Sequence, residues 1–158
     1  MRHSLRIGFS FGLTSGVITT LGLMVGLNYG THSRLAVIGG VLTITVADAL
    51  SDALGMHLSE EAHKKRSSKD IWESTFSTFI SKLAIASSFL FPVLLLSLPT
   101  AIIVSIVWGF SLLSYLSFRI ARAKDVPAFP IITEHIIIAA SVIMITYLIG
   151  IFVSSYFG

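Results

Sequence analysis

The sequence predicts an all-α integral membrane protein: one transmembrane domain, residues 1–158, of five helices with the N-terminus cytoplasmic and the C-terminus outside. Three observations predict it. The chain is 54% hydrophobic and only 12% charged, whereas soluble domains carry about 25% charged residues. Five apolar segments, about 7–27, 35–58, 76–98, 101–118 and 131–157, approach or exceed the about 20 residues that a helix needs to cross a bilayer. The basic residues are distributed unequally between the loops. With the N-terminus inside, Arg2, Arg6, Lys64, Lys65, Arg66, Lys69, Arg119, Arg122 and Lys124 all lie on the inner side, against Arg34 alone outside, and Lys82 falls within the third span. That bias sets the orientation.

The same distribution explains the pI near 9.5. The cations are topology signals in short loops rather than a nucleic-acid patch, so the expected partner is the lipid bilayer. The absence of cysteine excludes disulfides, thiolate metal sites and thiol chemistry. Arg2 and Arg6 precede an apolar run as in a signal peptide, but no small-residue cleavage site follows. The segment is read as a retained first helix. No organelle-targeting segment is recognised, and the cell membrane is the expected location.

The first span carries two glycine trios, Gly8, Gly12, Gly16 and Gly22, Gly26, Gly30. Each is a doubled G-x-x-x-G, a stripe that lets another backbone approach closely. It serves packing within the bundle, or a homodimer seam beside a narrow path. Thr14, Ser15, Thr19 and Thr20 lie between the trios. Their hydroxyls can meet a cation or satisfy helix backbone. Ser15 and Thr19, with Thr45 of the second span, are the pathway-lining candidates.

The second span is long enough to cross the membrane yet holds Asp48 and Asp52 near its middle. A charge at that depth costs at least roughly 2.5–3.5 kcal/mol on insertion scales, so something must compensate it. At helical spacing Thr45, Asp48, Asp52, Met56, Ser59 and His63 share one stripe, with Glu60 at its edge and His57 opposite. Carboxylates suit Mn²⁺ and Fe²⁺, while thioether and imidazole favour softer transition metals. Asp48, Asp52, Met56, Glu60 and His63 are therefore the candidate metal ligands. Ligands one turn apart let an ion step along without a deep trap. The competing reading is an Asp52–Lys82 ion pair that needs no metal. It leaves Asp48 without a second cation.

Glu60, Glu61, His63, Asp70 and Glu73 in the mixed-charge loop either gather metal at the inner mouth or form a solvated face. Pro99 in SLPT predicts a tight hairpin between the third and fourth spans. Glu134, near the start of the fifth span, is expected to complement that helix's N-terminal dipole. The alternative joins Glu134 and His135 to the inner mouth.

These residues resemble the vacuolar iron transporter (VIT) family over nearly the whole chain. GLTSGVITTLGLMVGL is similar to the family's opening helix. ADALSDALGMHLSEEA resembles its S-M-A-x-G-E-Y-x-S stretch, with Ser51, Ala53, Gly55, Leu58 and Ser59 in register. Pro92 matches a proline of the third helix, and ITYLIG resembles the closing T-Y-x-x-G. The resemblance implies a homodimeric transporter that moves Fe²⁺ or Mn²⁺ out of the cytosol in exchange for protons, by a path between subunits lined by the first two helices. The ion is cargo, and no permanent cofactor is expected. The chain departs from the pattern where the family has an aspartate at Ser15, a methionine at Asp52 and a glutamate at Met56. The family's separate cytoplasmic metal-collecting helices have no counterpart.

Two other classes compete. A non-transporting membrane scaffold would use Asp52–Lys82 as a structural pair and the glycines for assembly. A metal-dependent membrane phosphotransferase of the CDP-alcohol type also holds aspartates four apart, but its upstream D-G-x-x-A-R stretch is missing. An enzyme is therefore not expected.

Overall fold

The computed structural model describes residues 3–63 and 66–158, so the expectations placed on Arg2, Lys64 and Lys65 lie outside the described residues. Six helices follow in order: α1 (His3–Thr31), α2 (Arg34–Glu61), α3 (Ser68–Ser88), α4 (Leu90–Leu95), α5 (Leu98–Lys124) and α6 (Ala128–Phe157). With α3 and α4 taken as one broken span, Ser68–Leu95, five helices are long and apolar enough to cross a membrane. Each has 27 to 30 residues, more than the about 20 that hydrocarbon alone requires.

The spans exceed the expected boundaries because their ends are polar. Ser67 caps α3: its hydroxyl accepts from the Asp70 amide at 3.2 Å and donates to the Asp70 carboxylate at 2.6 Å. The first turns of α3 carry Lys69, Asp70 and Glu73, which hydropathy excludes from a span. Basic Arg122 and Lys124 suit the last turn of α5, where they complement the helix dipole. Asp125 then takes the left-handed conformation, and the Val126 amide reaches back to the Ala121 carbonyl at 3.1 Å. Helix α6 begins at Ala128 behind Pro127. This corrects the role expected of Glu134, which lies beyond the first turn, where the dipole effect has faded.

The break at Phe89 has a covalent cause. Pro92 has no amide to offer the Ser88 carbonyl, and its ring crowds that carbonyl. The Ser97 hydroxyl meets that of Thr100 at 2.8 Å, and Pro99 sits in the first turn of α5. The α4–α5 hairpin is therefore as tight as SLPT predicts.

Helix α1 is the centre of the bundle and packs on α2, α3, α5 and α6. Gly8 and Gly12 lie against α3. A Cβ on Gly12 would stand 2.2 Å from the Ser81 hydroxyl and 2.5 Å from the Thr78 carbonyl, so only glycine fits. The Ser77 hydroxyl donates to the Leu5 carbonyl at 2.8 Å and that of Thr78 to the Gly8 carbonyl at 3.3 Å. Lipid tails are as apolar as the side chains, so close packing and such hydrogen bonds hold membrane helices together. Gly22, Gly26 and Gly30 face α6, where a Cβ on Gly150 would stand 2.7 Å from the Gly26 carbonyl. Both glycine trios of α1 thus meet helices of the same chain, the first α3 and the second α6.

Directions follow from the contacts. Gly8 meets Ser74 and Gly22 meets Val142, so α1, α3 and α6 run parallel. His57 meets Thr75 and Ser117 meets His135, so α2 and α5 run the other way. The start of α1, the end of α2, the start of α3 and the end of α5 thus share one end of the molecule, which carries most of the cations.

Candidate functional site

The polar face of α3 that admits the glycines of α1 ends in Lys82. Ser74, Thr75, Thr78, Ser81 and Lys82 are all buried. Lys82 is 1% exposed, and its ammonium sits where α1, α2 and α3 meet. It donates to Asp52 Oδ2 at 2.5 Å and to Ser15 Oγ at 2.8 Å. Asp48 Oδ2 lies 2.5 Å from the same nitrogen. The one-turn spacing of Asp48 and Asp52 aims both carboxylates at one cation.

The two carboxylates are not equivalent. Asp52 receives an aligned hydrogen bond, whereas Asp48 Oδ2 is buried without one although the ammonium is in contact. The Asp48 and Asp52 side chains stay 25% and 19% exposed, against 1% for Lys82. Asp48 borders a cleft of about 610 Å³ whose walls include Leu23 and Leu27 of α1 and Gly39, Gly40 and Thr43 of α2. With all three groups ionised, the cluster holds one more negative than positive charge.

The remaining predicted ligands are dispersed. Met56 is half-buried. Glu60 is buried, with Oε2 2.8 Å from Nε of Arg66. His63 does not extend the helical stripe, which corrects that expectation: α2 ends at Glu61, Ala62 caps it, and exposed His63 lies in the following turn. Among the described residues, no three of His, Asp and Glu gather closely enough to hold a metal ion. Of the pathway candidates, Ser15 touches Lys82. The Thr19 hydroxyl donates to its own helix at the Ser15 carbonyl, 2.9 Å away, and that of Thr45 is buried without a partner.

The inner-mouth candidates have other contacts. Glu73 accepts from the Ser4 hydroxyl at 2.8 Å, and His135 Nδ1 lies 2.7 Å from the Ser117 hydroxyl. His57 packs edge-on against Trp72 and meets the Thr75 hydroxyl at 3.1 Å. The sequence reading left Asp48 without a cation. The signal was present: spacings of 48, 52 and 82 that place one lysine at the depth of two carboxylates.

The class so defined is a helical membrane protein with five candidate spans around a buried carboxylate–lysine–carboxylate cluster. Comparison with protein-family models gives no match, and comparison with curated proteins gives none.

Proposed function

We propose that the protein is a membrane transporter of divalent transition-metal ions, iron or manganese, that exports them from the cytosol in exchange for protons. The carrying observation is the charge imbalance at Lys82: two carboxylates share one ammonium 2.5 Å from each. An uncompensated negative charge inside a bilayer attracts a cation or a proton. Asp48, which lacks an aligned donor and borders the cleft, is the first ligand, and Asp52 is the second. A cation arriving there competes with the Lys82 ammonium. If the ammonium gives up its proton as a divalent ion binds, the cluster becomes neutral, and ion and proton are exchanged at one place. Ser15, Thr45 and water supply further oxygens, which suit iron and manganese.

The resemblance to the vacuolar iron transporter family supports the same reading, including a homodimer, and the cation distribution favours an inside N-terminus; the cell membrane is the proposed location. The seam moves to α2, whose small residues Gly39, Thr43, Ala47, Ser51 and Gly55 recur every fourth position on an exposed face. Gly39 and Gly55 have open space where a Cβ would stand. Small residues at this spacing suit helix–helix contact in membranes.

The experiment is uptake of Fe²⁺ and Mn²⁺ into proteoliposomes under an imposed pH gradient. Wild type is expected to show gradient-dependent flux, and Asp48→Asn to lose it while remaining folded through Lys82–Asp52. Flux unchanged in Asp48→Asn overturns the site. One observation favours a scaffold as the second reading: Lys82 already compensates part of the charge of both acids. A scaffold shows no flux and no metal-dependent change in thermal stability.

A further inference from the structure

A second polar feature lies apart from Lys82, at the end of the molecule where α1 begins and α5 finishes. Arg6 of α1 and Arg119 and Arg122 of α5 border a cleft of about 660 Å³ between the two helices, and no acidic residue lines it. Among the described residues, no carboxylate forms an ion pair with any of the three arginines. All three are exposed.

The cleft has two chemically distinct parts. Tyr115, Arg119 and Arg122 follow at spacings of four and three, so they share one face of α5. Arg119 donates to the Tyr115 hydroxyl at 2.9 Å, which orients its guanidinium. The guanidinium of Arg122 lies 6.0 Å from the Phe118 ring centroid, within the reach of a cation–π contact. Towards the middle of the span the walls turn apolar, with Leu13 of α1 and Leu116 of α5 buried and Ile120 half-buried. Cations at the helix ends above an apolar floor match a lipid phosphate at headgroup depth with an acyl chain below it. Arginine suits such a phosphate because its planar fork binds two oxygens at once.

We infer that this α1–α5 cleft binds the phosphate headgroup of an anionic phospholipid, held by Arg6, Arg119 and Arg122, with the acyl chain along Leu13, Leu116 and Ile120. Neutral, zwitterionic lipid is disfavoured, since its ammonium would enter a cleft with three cations and no carboxylate. Free phosphate offers the same charge without the chain, and the apolar floor favours the lipid.

The test is thermal unfolding of the purified full chain in neutral detergent, titrated in separate arms with phosphatidylglycerol, phosphatidylcholine and inorganic phosphate. Phosphatidylglycerol is expected to raise Tm, and the other two to leave it unchanged. Each arginine replaced by glutamine is expected to weaken phosphatidylglycerol about fivefold, from about 1 kcal/mol per basic residue. The triple variant Arg6→Gln, Arg119→Gln, Arg122→Gln loses the shift. Lys69→Gln, an exposed cation at the start of α3 outside the cleft, keeps it. Equal stabilisation by phosphatidylcholine, equal stabilisation by inorganic phosphate, or an unchanged titration in the triple variant each overturns the proposal. If the triple variant does not fold, native mass spectrometry of wild type from vesicles of equal phosphatidylglycerol and phosphatidylcholine decides. Preferential retention of phosphatidylglycerol supports the site, and retention in proportion to supply overturns it.

Discussion

Lys82 shows how a few ångströms decide the meaning of a buried charge. An isolated ammonium or carboxylate at this depth would be among the costliest groups in the chain, and the cluster lowers that cost by sharing. Lys82→Met removes the shared cation and leaves two carboxylates side by side, so a loss of about 3–5 kcal/mol is expected, as for other broken buried pairs. Thermal unfolding in detergent measures it, and adding Asp52→Asn to Lys82→Met should restore part of the loss. Asp48→Asn should cost less stability than Asp52→Asn, because only Asp52 receives an aligned hydrogen bond from Lys82. An unchanged Tm in Lys82→Met would refute the structural role of the cluster. The Glu60–Arg66 pair has a different weight: Arg66 is 23% exposed, so water screens the pair and its contribution is of the order of 1 kcal/mol or less.

Between helices, the contacts that matter are close approaches and completed backbone hydrogen bonds. Helices α1 and α3 touch at Gly8, against the Ser74 carbonyl, and at Gly12, against the Ser81 hydroxyl and Thr78 carbonyl, while Gly55 of α2 faces open space. Gly12→Val should therefore push α1 from α3 and lower stability by about 1–3 kcal/mol, the usual cost of overpacking. Gly55→Ala should leave the stability of the single chain unchanged or slightly raised, since alanine is the better helix former. Parallel thermal melts of the two variants check the contrast, and equal losses would refute the α1–α3 packing. Arg34 also acts between elements. Its guanidinium donates to the Val93 carbonyl and, at 2.7 Å, to the Leu94 carbonyl. The cation that opens α2 thus satisfies carbonyls at the end of α4, where no further turn of helix supplies amides.

For the molecule as a whole, the proposed inside N-terminus is testable. The end formed by the start of α1 and the end of α5 holds Arg6, Arg119 and Arg122, and positive-inside bias predicts that it faces the cytosol. The chain has no cysteine, so single cysteines report cleanly. Ser97→Cys in the exposed α4–α5 turn should react with a membrane-impermeant maleimide in intact cells. Ser68→Cys, exposed at the start of α3, should react only after permeabilisation. The opposite pattern would invert the orientation and with it the proposed direction of transport.

Much of the architecture is legible along the chain because a bilayer imposes one rule on every segment: an apolar length must be helical and long enough to cross. That rule suffices for the all-helical class and the five spans, and Pro99 for the hairpin. Boundaries escaped it at Ser68 and Lys124, where polar helix ends continue past the apolar stretch, and at Phe89, where Pro92 divides a span that hydropathy reads as continuous. Spacing along α2 put Asp48 and Asp52 on one face. Spacing within a helix carries no record of what stands opposite, however. It took the packing of α1 against α3 to bring Ser15 and Lys82 to those carboxylates, and the packing of α1 against α6 to consume the second glycine trio. The same limit hid the arginine cleft, since Arg6 and Arg119 are far apart in the chain. Local chemistry determines how each helix forms, but the partners of a buried charge depend on which helices become neighbours.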